Sequence, residues 1–194
     1  MKINNREIQF PLNKIFPKRW SPRSFNGKKL TKTQIMTLFE AARWSPSAFN
    51  GQPWKFVYTE RGDKNWKRLL NLLIPFNQMW VKNSSLLVFV ISNKKFEYNG
   101  KSNKTHSFDV GAAWMSVALQ ASLMGLAAHG MSGINYKKAT EVLKIPKNYK
   151  LEMAFAVGKK DLKSKLPADF QKMEVQSDRN KVNKFISKGT FVWK

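Results

Sequence analysis

Ser85–Ser92, SLLVFVIS, is an unbroken apolar run closed at each end by serine. It shows neither the alternation of a half-exposed strand nor the 3.6-residue rhythm of a surface helix, and it is far too short to cross a bilayer. A strand buried on both faces reads this way. Such a strand needs apolar cover on each side. The elements around it alternate helix and strand, so the chain is predicted to fold as three layers of α+β or α/β type.

Thr31–Trp44 has Ile35, Leu38, Phe39 and Ala42 at helical spacing, and Thr31 with Gln34 forms a capping-box pattern. Pro46 closes that helix. Ser45–Pro53 follows as a loop, Trp54–Thr59 as a strand, and Arg61-Gly62-Asp63 as a turn. Asn65–Leu73 reads as a helix with Trp66, Leu69, Leu70 and Leu73 on one face, stopped by Pro75. Ser107–Met124 is a second strong helix. Phe108, Met115, Leu119 and Ser122 line one face; Gly111, Ala112, Ala118 and Ala121 supply small side chains, and Gly125 stops it. A helix so poor in charge is expected to pack against another helix, in this chain or a second copy. Leu126–Met131 and Leu151–Val157 are expected strands, and Tyr136–Leu143 a short helix capped by Asn135. Beyond Lys159 the chain reads as polar and irregular until the aromatic stretch Phe185–Trp193, which is expected to dock on something. No composition break divides residues 1–194, so a single domain is expected.

Of the 194 residues, 35 are Lys or Arg and 12 are Asp or Glu, a formal net charge of +23. Nucleic acid or an anionic membrane is the first partner such a charge suggests. Its distribution argues otherwise. The lysines are scattered singly or in pairs, with no basic arm, while Thr105–Asn135 holds Asp109 as its one fully charged side chain. The first 29 residues set eight cations against Glu7 alone. At 42% hydrophobic and 13% aromatic the chain is expected to fold. Without Cys there is no disulfide and no thiolate metal site, and two His are too few for a His-rich one, so no metal is expected. Met1–Phe10 lacks the apolar core of a signal peptide. A soluble, cytoplasmic protein without nucleic-acid or membrane partners is the expectation.

Two segments carry chemistry. Arg19 and Arg23 flank Ser21 ahead of the first long helix, and guanidinium forks with a short hydroxyl are donors suited to phosphate. Trp44–Trp54 sets Ser45, Ser47, Asn50 and Gln52 between two tryptophans and among Pro46 and Pro53, a rigid loop whose amides and hydroxyls suit the polar edge of a heterocycle. The plainer alternative makes it a connection with Trp44 and Trp54 in the core. Gly130-Met131-Ser132-Gly133 lacks the spacing of an esterase elbow, and His129 reads as a strand-end residue. There is no Walker A and no G-x-G-x-x-G motif. Phe49, Phe76 and Trp80 are candidates to wall a pocket for a flat molecule, or to be core.

The runs RWSPRSF (Arg19–Phe25) and ARWSPSAFNGQPWKF (Ala42–Phe56) together resemble the nitroreductase-like family of FMN-dependent oxidoreductases. Phe76-Asn77-Gln78-Met79-Trp80 is similar to the family's Asn-containing segment. Asp109–Gly125, with Leu119–Leu126 as LQASLMGL, is similar to its dimer helix. Gly130–Gly133 resembles the loop beneath the flavin, and Lys163–Pro167 its tail element. The resemblance implies a three-layer α+β fold with a mostly antiparallel sheet flanked by helices and a C-terminal tail docked on the partner. It also implies a homodimer with FMN at the interface. Arg19, Ser21 and Arg23 would hold ribityl and phosphate, with Arg19 also a candidate to stabilise reduced flavin, and Lys163 and Lys165 would add positive charge. Pro46, Ser47, Ala48 and Asn50 would come from the other subunit. Asn77 would meet the pyrimidine edge, and Gly130, Met131 and the backbone of Ser132 and Gly133 would lie at the flavin, the last two near N5. Trp20, also expected at the cofactor, stands where His or Arg is frequent, Ser132 where some members have Glu, and Lys165 where Arg is frequent. The implied reaction is ping-pong: a hydride from NADH or NADPH to FMN, then reduction of a nitroaromatic or quinone, with no protein nucleophile. Other readings are a reductive dehalogenase or flavin-fragmenting relative, a flavin-storage protein, and a basic nucleic-acid-binding module.

Overall fold

The computed structural model describes residues 2–3 and 6–193. Met1, Asn4, Asn5 and Lys194, and the side chains of Lys2 and Ile3, lie outside the described residues. Part of the Met1–Phe10 stretch and the Lys2 charge therefore fall outside them too. The strands are β1 (Lys2–Ile3), β2 (Arg6–Glu7), β3 (Trp54–Glu60), β4 (Leu86–Asn93), β5 (Ala127–Met131) and β6 (Tyr149–Gly158). The helices are α1 (Ile15–Lys18), α2 (Lys32–Arg43), α3 (Trp66–Leu70), α4 (Pro75–Val81), α5 (His106–Leu123), α6 (Tyr136–Val142) and α7 (Ala168–Met173). Short 3-10 turns occupy Ala48–Asn50, Lys163–Lys165 and Val182–Lys184.

The main sheet runs β3-β4-β6-β5 with every neighbour antiparallel, and all eight residues of β4 are buried. Its pleat divides the core in two. Leu87, Phe89 and Ile91 enter one cluster with Leu69, Leu72, Trp80, Ala139 and Phe170. Leu86, Val88 and Val90 enter the other with Ile35, Leu38, Ala42, Val110, Ala113, Val117 and Ala121 of α2 and α5. Full burial of each such side chain contributes about 1.5–3 kcal/mol. The continuous apolar run thus does what its pattern requires: one strand face serves each core. The β4–β6 register shifts between Val90 and Ile91, skipping Glu152 and forming a bulge.

Local chemistry sets the ends. Gln34 N donates to Thr31 Oγ1 at 3.1 Å and Thr31 N donates to Gln34 Oε1 at 2.9 Å, closing the expected capping box of α2. Lys138 N donates to Asn135 Oδ1 at the start of α6. Gly125 takes φ +69° just beyond α5, a conformation that suits glycine.

Several expectations change. α3 ends at Leu70, and Pro75 starts α4 instead of merely stopping its predecessor, since proline fits the first helical turn, where the N–H is unpaired anyway. The region after Lys159 contains α7, which buries Phe170. On α5 the buried stripe is Val110, Ala113, Val117 and Ala121, packed towards α2. Phe108 and Leu123 instead face outward, 80% and 68% exposed. Trp44 is exposed, with its indole N–H on Glu40, so it is not core. His129 sits in the middle of β5 rather than at its end. As expected of a segment that docks on something, the tail touches the chain's own start, with Val182 N donating to Gln9 Oε1 at 2.8 Å, and Phe185, Ile186 and Phe191 are exposed. No helix among the described residues is long and apolar enough to cross a membrane.

Candidate functional site

Four pieces of chain meet in a cleft of about 440 Å³. Arg19 and Ser21 come from the segment after α1, Trp114, Met115 and the buried Ala118 from α5, Gly130–Ser132 from the β5 end, and Met153 from β6. That volume lies in the range of small-ligand pockets.

The basic segment is pinned from three sides. Arg6 Nη1 donates to the carbonyls of Pro17 (2.8 Å) and Arg19 (3.0 Å), fixing the chain just ahead of Trp20. Glu174, buried in the chain after α7, accepts from the N–H of Arg23 through both oxygens (3.0 and 2.9 Å) and from the N–H of Ser24 (3.1 Å). Ser24 Oγ donates to Leu162 O, Asp161 N to Ser24 O, and Asn26 N to Lys159 O. The third support is His129. Its Nδ1 donates to Pro22 O at 2.9 Å, and its ring lies 4.6 Å from that of Trp80. Burial pushes the His129 pKa down to about 4, and the nearby Arg23 and Arg19 guanidinium groups oppose a further charge. A neutral imidazole therefore ties the arginine segment to β5.

Arg19 Nη1 donates to Ser21 Oγ at 3.3 Å. Burial, then Arg179 and Arg6, lower the Arg19 pKa, so cations crowd here. The buried Nε of Arg23 has no hydrogen-bond partner among the described residues. Lys160 Nζ lies 5.3 Å from the Trp20 ring centroid, within cation–π range. Lys163 and Lys165 sit exposed on a 3-10 turn and do not line the cleft.

The loop after β5 is built for close approach. A Cβ on Gly130 would lie 2.5 Å from the Met153 methyl and 3.0 Å from the Trp114 ring. One on Gly133 would lie 2.4 Å from Asn77 Nδ2 and 2.7 Å from Ile74. The N–H groups of Ser132 and Gly133 enter no hydrogen bond among the described residues. Met131 borders the cleft and is otherwise buried in the core.

Asn77 is 7% exposed. Its Nδ2 donates to Gly133 O at 3.1 Å, and its Oδ1 accepts from Trp80 Nε1 at 3.3 Å. The amide oxygen and one amide hydrogen are thus occupied in holding the loop. Trp80 is core, 1% exposed, and so is no pocket wall; Phe76 stacks on Phe170, and Phe49 stands 83% exposed.

The loop bearing Pro46, Ser47, Ala48 and Asn50 lines no part of this cleft. Ala48 N donates to the buried Asp109 carboxylate at 3.2 Å, and Gln52 N donates to Ser47 Oγ at 3.0 Å. Phe49, Asn50 and Gln52 hold positive φ of 51°, 51° and 43°.

Sequence reasoning missed Arg6, Glu174 and the supporting part of His129. A lone Arg in a basic start and a lone Glu in a polar tail carry no motif, since their meaning lies in long-range contacts.

The cleft itself offers the Arg19 guanidinium, the Ser21 hydroxyl and the unpaired Ser132 N–H, donors that fit a phosphorylated ligand, while Trp20, Arg23 and Gly133 do not line it. Comparison with known proteins agrees. Residues 17–78 and 75–159 match the sequence model of the family described as Nitroreductase family. A solved structure described as the oxidoreductase containing FMN is 42% identical over all of both chains, with a TM-score of 0.95. A putative nitroreductase in complex with FMN from Desulfovibrio desulfuricans is 18% identical, covering 94% of this chain and 100% of its own, TM-score 0.72. A putative NADH oxidase from Clostridium acetobutylicum is 23% identical, covering 91% and 99%, TM-score 0.69. These last two show likeness of fold alone. No curated protein matches.

Proposed function

The chain belongs to the nitroreductase family, and from that premise we propose an FMN-dependent oxidoreductase. It would take a hydride from NADH or NADPH and reduce a small flat acceptor, a nitroaromatic or quinone, in a ping-pong cycle. The observation that carries the reading is the cleft in which Arg19 and Ser21 face Gly130–Ser132. Also supporting it is the 42% identity to an oxidoreductase described as containing FMN.

Arg19, Ser21 and Arg23 would hold the phosphate and ribityl groups, with Trp20 alongside and Lys163 and Lys165 raising the local potential. Charge-assisted hydrogen bonds of this kind contribute about 1.5–3 kcal/mol each. Lacking a Cβ, Gly130 and Gly133 let Met153, Trp114, Asn77 and Ile74 pack against this loop and would so hold its backbone in place, and the free N–H groups of Ser132 and Gly133 would bond near flavin N5. Asn77 would serve by holding Gly133, with its remaining amide hydrogen available to the pyrimidine edge. When bound, FMN supplies the hydride and electron chemistry; the chain binds, orients and excludes water. Pro46, Ser47, Ala48 and Asn50 would complete the site of a second copy, as a homodimer requires.

Purified protein should be yellow, and denaturation should release FMN at one per chain. Arg23→Ala should lower FMN retention about tenfold, the loss of one charge-assisted contact. A colourless protein that ignores added FMN overturns the reading.

A further inference from the structure

Beside the flavin cleft lies a second, larger cavity of about 600 Å³, and the two share Arg19 and Met115. It is built by the chain from Arg6 to Leu12, the end of α1, and the tail from Asp178 to Phe185. The arm and tail lie outside the residues that match the family, 17–78 and 75–159. The flavin reading assigns this space no work.

Its lining joins two chemistries. Phe10, Leu12, Phe16, Val182 and Phe185 give it apolar walls, and Phe10 and Phe185 are more than half exposed. Arg6, Arg179 and Lys181 set three cations against Glu7 and Asp178, beside the Arg19 that the flavin reading gives to the FMN phosphate. None of the three arginines forms a salt bridge among the described residues. They repel one another instead. After burial, Arg179 is what most disfavours the charge on Arg6, with Asp178 opposing it, and the Arg19 charge feels both other arginines. Arg6 is only 6% exposed, yet its buried Nε has no partner among the described residues. A chain that folds like charges together around an apolar hollow leaves a position where a bound anion relieves repulsion.

We propose that this cavity binds an amphipathic monoanion: a flat apolar body, about the size of two fused rings, carrying one carboxylate. The anionic group meets the arginine cluster, and the body lies on Phe10, Phe16 and Phe185. The charge excess selects the anion over a neutral analogue, and the apolar lining selects an aromatic acid over inorganic anions. Because Arg19 belongs to both cavities, the ligand sits next to the cofactor site without using Ser132 or Gly133.

The test is titration calorimetry on the full-length purified protein with 2-naphthoate and its neutral isostere 2-naphthamide. FMN release into the supernatant is measured in parallel. One naphthoate per chain should bind, about tenfold more tightly than the amide, as one charge-assisted contact warrants. Arg179→Gln should remove most of that preference, and Phe185→Ser should weaken acid and amide together. These readouts do not depend on flavin colour, so they stand apart from the fate of the FMN reading. Equal binding of acid and amide, no binding, or displacement of FMN mole for mole by naphthoate overturns the proposal.

Discussion

His129→Gln removes a titrating group from between the arginine segment and Trp80 while keeping an N–H for Pro22 O. In the folded protein the His129 pKa is pushed from 6.5 down to about 4, chiefly by burial. The unfolded chain therefore takes up the proton first as the pH falls. Stability from this residue is fully present above the unfolded value of 6.5 and is lost progressively down to about 4. Each pH unit in that window costs about 1.4 kcal/mol, so the whole window is worth about 3 kcal/mol. Between about pH 7 and about pH 4.5 the share is about 2 kcal/mol, a large part of the net stability of an ordinary domain. Urea unfolding followed by circular dichroism measures it, on protein stripped of flavin so that ligand linkage does not enter. Other groups titrate too, so the quantity of interest is the difference between wild type and His129→Gln in their losses over the same pH step. The wild type should lose about 2 kcal/mol more than the variant. Equal losses in the two proteins refute the assignment of a buried, neutral His129.

Glu174→Ala leaves the N–H groups of Arg23 and Ser24 without their acceptor and should cost about 2–4 kcal/mol in urea unfolding, whereas Glu174→Gln, which keeps one oxygen for both, should cost less than half as much. An alanine variant as stable as wild type would show that the C-terminal clamp is idle. Gly133→Ala forces a methyl against Asn77 Nδ2 and Ile74 and should cost about 1–3 kcal/mol together with FMN retention, read by the same unfolding and by flavin released on gel filtration; full retention would separate the loop from the flavin.

What the sequence reveals follows the range of the physics. SLLVFVIS announces a strand between two cores because burial on both faces leaves no room for alternation, and α2 announces itself by spacing and a capping box. These are local rules. Pro75 misleads because proline both ends and begins helices, and the spacing alone does not say which. On α5 the spacing picks out a face of Phe108, Met115, Leu119 and Ser122 but does not say which face meets this chain's core, and the interior stripe is Val110, Ala113, Val117 and Ala121. Close packing on α2 and on the sheet favours small side chains there and leaves Phe108 and Leu123 outside. At the site, Arg19, Ser21 and Gly130 are legible through resemblance. Glu174 is not, since a carboxylate 151 residues from Arg23 finds its partner only when α7 docks.

The loop from Ser45 to Pro53 is held in a strained shape. Phe49, Asn50 and Gln52 hold positive φ, and a non-glycine residue there costs about 1 kcal/mol or more. Asp109, 4% exposed, is committed to this loop through Ala48 N, and Ser45 Oγ shares a 2.7 Å bond with Ser116 on α5. Strain held by a buried carboxylate implies work for the loop, yet it borders no part of the cleft formed by Arg19, Ser21 and Gly130. Its Phe49 ring is 83% exposed, and the same α5 turns Phe108 outward. A second copy packed along that outer face would cover these rings and receive the loop at its own cleft. The rigidity of the loop would then have a use: Ser47 and Asn50 would reach a ligand held by another chain, where no covalent connection fixes their position.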